Sequence, residues 1–336
     1  MGNLPKALSS HEKALEISKH SLPHNHPDLA TSYNNIGLVY NSMVNYPKAL
    51  SYYETALEIK QQSLPPIHPD MAFFYNNIGL VHYNMGNYPK ALSYYEKALE
   101  IQQQSLPPNH PHLAMFYNNI GLIYKNIVNY PKALSYHEKA VEIQQQSLPP
   151  NHPHLAMSYN NIGVIYDNMG NYPKALSYYE KTLEIQQQSL PPNHLHLASS
   201  YNNIGVIYKS IGNYPKAFSY YEKALEIKQQ SLSPNHPSLA YSYGNIGALH
   251  YSMSNYPKAL SYDERALEIQ QQPLPPNHPD LAKSYNNIGS VYANMGNYPK
   301  ARTFLEHAVQ IAQQSLPSNH PDLQRWRDNL ERVKNK

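Results

Sequence analysis

Cysteine is absent from all 336 residues. That removes disulfides, thiolate metal sites and a cysteine nucleophile, and it suits a reducing compartment, so a cytoplasmic location is expected. Charge of one sign is scarce as well. The 26 Lys and Arg against 23 Asp and Glu leave a net charge of +3, too small for the footprint of a nucleic-acid binder. No apolar run approaches the ~20 residues of a membrane span. The opening MGNLPKALSS lacks the apolar core of a signal peptide. It begins Met-Gly, but Lys6 stands where a myristoylation signal needs Ser or Thr.

What the chain does have is periodicity. Pro-Lys-Ala recurs from Pro5 through Pro47 and Pro89 to Pro299, and a loop histidine from His26 through His68 and His110 to His320, every 42 residues without an insertion. A fixed period of this size means a solenoid or an array. Each period holds two helix-length segments. In the first, Pro27 to Met43, the residues Leu29, Tyr33, Ile36, Gly37 and Tyr40 share one face. In the second, Pro47 to Ser63, the stripe is Ala49, Leu50, Tyr53, Ala56 and Leu57. Proline fits the first turn of both segments, and paired prolines in LPPIHP end the unit. Neither helix can bury its stripe alone, so units must stack. Gly37, Ala49 and Ala56 mark close helix approach, and Tyr33, Tyr40 and Tyr53 fill the space between, which accounts for 32 tyrosines without invoking chemistry.

The pattern Tyr33, Ile36-Gly37, Tyr40, Ala49, Tyr53 and Ala56 resembles the tetratricopeptide repeat. The unit is 42 residues rather than the usual ~34. The long second helix, the His-Pro-Asp that follows it and the Asn-Asn of the first helix look like the kinesin light chain variety. The resemblance implies an all-α fold, a right-handed superhelix (α-solenoid) of antiparallel helix pairs, with first helices lining a concave wall. The expected organisation is a partial repeat at 1–26, seven units over 27–320 and a capping helix at 321–336. Met1-Gly2-Asn3 aligns with Met85-Gly86-Asn87, so the sequence opens in the middle of a repeat. That is expected of a fragment or of a start inside a longer array, the other reading being a lone capping helix. At the far end, Leu323, Trp326, Leu330 and Val333 keep a stripe while the remaining positions turn highly charged, as a terminal cap requires.

Two adjacent asparagines recur in the middle of the first helix, where asparagine is a poor helix former. At about 100° per residue, Asn34 and Asn35 flank a stripe that points away from the packed face. The second is present in every copy, as Asn35, Asn77, Asn119, Asn161, Asn203, Asn245 and Asn287, whereas the first becomes Gly244 once. An amide offers donors and an acceptor together, so it can hold an extended peptide's backbone, and the resemblance implies that role. A ladder of asparagines bonding neighbouring repeats or water, and plain inheritance among near-identical copies, remain alternatives. Within the groove the variable positions should set specificity. Phe73, Met115 and Met157 suggest a place for a bulky side chain, Lys283 and Arg325 beside Asn287 suggest a carboxylate contact, and Lys125 and Lys209 lie one or two turns further on.

Eighteen histidines raise the question of metal. Pairs such as His110 and His112 lack third and fourth ligands at suitable spacing, so they read as helix-start and loop-packing residues, and neither metal nor cofactor is expected. Every candidate Ser-His-Asp set is copied along the array, whereas catalysis needs one constellation in one pocket. The expected function is therefore a non-enzymatic scaffold binding peptide segments in its groove. Its most concrete version, implied by the resemblance, is a kinesin light chain-like cargo adaptor recognising an aromatic residue among acidic ones. A kinesin heavy chain would then be a partner through regions not present in this sequence. The alternative is the repeat portion of a larger enzyme or signalling protein, and a chaperone-tail clamp would need more basic groove residues than the region of Lys283 and Arg325 offers.

Overall fold

The computed structural model describes residues 3–336. Met1 and Gly2, on which the in-register opening partly rests, lie outside the described residues. Among the described residues there are sixteen α-helices and no strand. The chain divides into two compact units, Met1–Met169 and Gly170–Lys336. The first unit holds α1 (Leu4–Ser21), then α2 (Pro27–Ser42) with α3 (Tyr46–Ser63), α4 (Pro69–Asn84) with α5 (Tyr88–Ser105), α6 (Pro111–Asn126) with α7 (Tyr130–Ser147), and α8 (Pro153–Asn168). The second holds α9 (Tyr172–Ser189), then α10 (Leu195–Ser210) with α11 (Tyr214–Ser231), α12 (Pro237–Ser252) with α13 (Tyr256–Gln271), α14 (Pro279–Asn294) with α15 (Tyr298–Ser315), and α16 (Pro321–Lys334). Each unit is a stack of antiparallel helix pairs.

The caps explain where helices start. His26 is the N-cap of α2, and its Nδ1 accepts from the Asp28 amide at 3.3 Å. His110 does the same for the His112 amide. The repeated histidine is thus a helix-start residue. Second helices begin on asparagine: Asn45 Oδ1 accepts from the Lys48 amide at 3.4 Å, with proline in the first turn. One turn residue between paired helices goes left-handed. It is glycine at Gly86 (φ 74°), Gly212 (77°) and Gly296 (76°), but valine at Val44 (60°) and Val128 (62°). A β-branched residue is strained there. Val44→Gly and Val128→Gly should each raise stability by about 0.5–1 kcal/mol, net of the freedom glycine adds to the unfolded chain. A chemical-denaturation midpoint that fails to rise would refute this.

Within a pair, the stripes meet as expected. Tyr53, Ala49 and Ala56 are fully buried. Tyr53 lies directly over Gly37, where an added β-carbon would sit 2.7 Å from its ring. Tyr52 stacks on Tyr40 at 5.4 Å between centroids and tilts against Tyr33 at 6.0 Å. The glutamine-rich tail of the second helix makes polar contacts both to its paired helix and to the next repeat. Gln102 is 2 % exposed and donates to the Pro69 carbonyl at 3.0 Å, and Gln144 is buried too. Gln103 donates to the Tyr117 hydroxyl, and Gln229 to that of Tyr243. The glutamine-rich tail of each second helix is an inter-repeat seam. At α16 the stripe Leu323, Trp326, Leu330 and Val333 is buried in a cluster with Leu305, Val309 and Ala312, and Arg325, Arg332 and Lys334 are exposed.

Candidate peptide-binding site

The asparagines form a ladder. Asn77 Nδ2 donates to Asn34 Oδ1 at 2.8 Å, Asn119 to Asn76 at 2.8 Å, Asn245 to Asn202 at 2.7 Å and Asn329 to Asn286 at 3.0 Å. In each rung the second asparagine of one first helix bonds the first asparagine of the preceding one. A second row of rungs lies two turns on, where Asn126 donates to the Tyr83 hydroxyl and Asn294 to that of Tyr251. First helices therefore stand side by side, and one of the alternatives weighed for the asparagines, the inter-repeat ladder, describes four of them. A rung engages one N–H of the donating amide. Its carbonyl oxygen and second N–H lie outside that bond.

Two rungs are broken, for different reasons. Asn118 Oδ1 is 2.7 Å from His137 Nδ1, and Asn118 Nδ2 donates to Ser158 Oγ at 2.8 Å, so Asn161 has no rung. In the second unit the first asparagine is replaced by Gly244, so Asn287 has nothing to donate to. An added β-carbon at Gly244 would meet nothing within 4 Å. A cavity of about 330 Å³ opens there, its lining including Gly244, Asn245, Asn287, Lys209, Lys283 and Asp280. The structure thus brings together Asn245, Asn287, Lys209 and Lys283. Partial burial holds the Lys209 ammonium below its ordinary pKa. Arg325 shares a neighbouring cavity with Asn287, and its guanidinium donates to Asp322 at 2.6 Å.

The remaining candidates lie in or near the first unit. Phe73 (44 % exposed), Met115 (38 %) and Met157 (50 %) are all exposed, on α4, α6 and α8 at equivalent positions. Phe73 meets the His112 ring edge-on at 6.4 Å. Asn35 and Lys125 are half-buried on α2 and α6, and Asn203 is half-buried on α10 in the second unit. Among the described residues no group of three or more His, Asp or Glu is placed to hold a metal ion, and no helix is long and apolar enough to cross a membrane.

Tetratricopeptide repeat models match residues 1–62, 70–127, 117–188 and 196–272, and a second such model matches 281–322. The chain belongs to the tetratricopeptide repeat family. Solved structures agree on the fold. BtubC of P. vanneervenii is 24 % identical, with a TM-score of 0.59 over 69 % of this chain and 94 % of that one. A kinesin light chain-like protein of Podosopora anserina with nearly identical TPR-like repeats is 22 % identical, with a TM-score of 0.55 over 62 % of this chain and 99 % of that one. The apo quorum sensor NprR of B. thuringiensis is 16 % identical, with a TM-score of 0.70 over 91 % of this chain and 83 % of that one. No curated protein matches the sequence.

Two tetratricopeptide repeat positions escaped the sequence reading. The residue beneath the first-helix glycine is Tyr53, Tyr95, Tyr179 or Tyr221 in four pairs and Leu305 in a fifth, but the polar His137 and Asp263 in the other two. Both side chains are buried, at 0 % and 3 % exposure. The signal lay in that one column, since SYDERALEIQ replaces SYYEKALEIQ. Such a departure is visible only once the column is known to be core.

Proposed function

We propose that this tetratricopeptide repeat chain is a non-catalytic interaction scaffold that holds an extended peptide against the first-helix wall of its second unit. The observation that carries the reading is the broken rung. Loss of one asparagine at Gly244 leaves Asn287 unpartnered at a cavity flanked by two lysines. An amide with both faces unengaged can accept from and donate to a peptide backbone, while Lys209 and Lys283 favour an acidic side chain beside it. The exposed row Phe73, Met115 and Met157 is a second contact surface, in the first unit, for apolar side chains. The more specific version is a kinesin light chain-like adaptor that presents bound cargo to a motor heavy chain through regions outside this sequence. It is supported by the 42-residue repeat and the fold likeness to kinesin light chain-like repeats.

Asparagines inside and outside the ladder make the test. Asn287→Ala removes no rung and places a better helix former, so stability should hold or rise by a few tenths of a kcal/mol. Binding of an acidic peptide selected on an array should weaken by about 0.5–1.5 kcal/mol for each neutral hydrogen bond lost. Asn119→Ala removes a rung in the first unit, so it should lower stability and leave that peptide's affinity unchanged. Thermal melts and calorimetric titrations on the same samples separate the two. Unchanged binding by Asn287→Ala would end the groove reading at this site.

A further inference from the structure

Beside the lysine-flanked cavity lies a second one, of about 240 Å³, lined by Asp263, Asn287, Ser290, Tyr251, Arg325 and Asn329. Asp263 is 3 % exposed, and no hydrogen bond or ion pair engages its carboxylate. Oδ1 sits against Gly247, so close that a β-carbon there would clash. In the equivalent place other repeats bury a tyrosine, as Tyr53 does over Gly37 and Tyr221 over Gly205. Replacing that ring by a carboxylate removes most of the filling and leaves a buried acid with nothing to bond. Both changes cost stability in a fold that solves the position with tyrosine elsewhere.

The chemistry of the walls defines what would repair this. The Ser290 hydroxyl already donates to the Asn286 carbonyl at 2.8 Å, so its oxygen is left as an acceptor. Asn329 gives an N–H to Asn286, and its own carbonyl oxygen lies outside that bond. Asn287 adds a further amide oxygen. With the Asp263 carboxyl these set acceptor oxygens around the cavity, beside the N–H groups of Asn287 and Asn329 that no rung uses. The single wall cation, Arg325, is already paired with Asp322. A flat, donor-rich cation satisfies such a cluster better than a point charge does.

We propose that the Asp263 cavity is a selectivity subsite for an arginine guanidinium of the peptide held in this unit's groove. The inference rests on the groove reading and names a basic residue next to the acidic one that Lys209 and Lys283 attract. Burial pushes the Asp263 carboxyl up to about 7, as expected for a carboxylate that lacks the counter-ion the guanidinium supplies.

The test uses the full chain and two probes. The first is acetyl-arginine amide at millimolar concentration, with acetyl-citrulline amide, its neutral isostere, as control. The arginine compound should raise the melting temperature of the wild type and not that of Asp263→Asn, and the citrulline compound should raise neither. The second probe is an array-selected acidic peptide scanned with arginine or citrulline at each position. One offset should favour arginine by about tenfold or more, as a charge-assisted bond predicts. Asp263→Asn should abolish that preference while leaving the citrulline peptide's affinity intact. If peptides bind but the arginine preference is absent, or survives in Asp263→Asn, the subsite is refuted and the groove stands. If no peptide binds, the groove reading falls. An arginine amide that then fails to stabilise the wild type selectively removes the subsite with it.

Discussion

Raising the pH from 5 to 8 should destabilise the second unit, and Asp263→Asn should abolish that loss. The carboxyl of Asp263 is held at about 7, against an ordinary value of 3.8, because burial penalises its charged form. Below about pH 4 both folded and unfolded chains carry the proton, and the group adds no pH dependence. Between there and pH 7 the unfolded chain releases its proton while the folded chain keeps it. The unfolded state then binds fewer protons than the folded one, so stability falls as pH rises. Roughly three pH units at about 1.4 kcal/mol each put the loss on the order of 4 kcal/mol. Two groups on the cavity walls bear on the site. Arg325 is engaged with Asp322, and Tyr251 accepts from Asn294. Asparagine matches the neutral acid in shape and cannot ionise. The stability gap between Asp263→Asn and wild type should therefore be about 1–2 kcal/mol at pH 5 and widen by a further ~2–3 kcal/mol by pH 8. Denaturant titrations at the two pH values measure it. A gap that stays constant would show that the carboxylate is ionised and solvated in the folded chain.

Much of this architecture could be read before any coordinates. Fixed spacing of Pro-Lys-Ala and of the loop histidine gave the repeat, and proline placement gave helix ends within a residue or so: Pro27–Ser42 and Tyr46–Ser63 are observed where Pro27 to Met43 and Pro47 to Ser63 were expected. The asparagine question was only half legible. A helical wheel places Asn35 and its copies away from the core, but an angular position cannot tell a ligand contact from a bond to the neighbouring helix. That distinction depends on the distance between helices 43 residues apart in sequence, as Asn77 and Asn34 are. The glutamines failed for the same reason. EIQQQ looks solvated on a single helix, yet Gln102 is buried on the Pro69 carbonyl of its paired helix and Gln103 reaches the Tyr117 hydroxyl of the next repeat. Gly244 was visible as an exception in the asparagine column. Its consequence, an unpartnered Asn287 beside a cavity, needed the ladder to be seen first.

The first unit should respond to pH in the opposite sense, through His137. Its ring is fully buried beneath Gly121, with Nδ1 against Asn118 Oδ1 at 2.7 Å and Nε2 without a partner. Charging the ring would put a second N–H where no acceptor exists. Burial, with a smaller push from Lys125, lowers the pKa from 6.5 to about 4. Above 6.5 the ring is neutral in both states and its contribution is complete. As pH falls toward 4 the unfolded chain takes up a proton that the folded chain refuses, so stability is lost, on the order of 3 kcal/mol across the window. His137→Tyr restores the residue that Tyr53 and Tyr95 supply in the neighbouring pairs, and Gly121 leaves the same room that Gly37 and Gly79 leave for them. The variant should remove the acid sensitivity. It should also free Asn118 Oδ1 to accept from Asn161, closing the broken rung as Asn76 does with Asn119. Stability at pH 5 should then rise by a few kcal/mol, and by less at pH 7.5, where only packing and the rung contribute. Equal gains at both pH values would mean that His137 titrates normally in the folded chain, and that the tyrosine helps by packing alone.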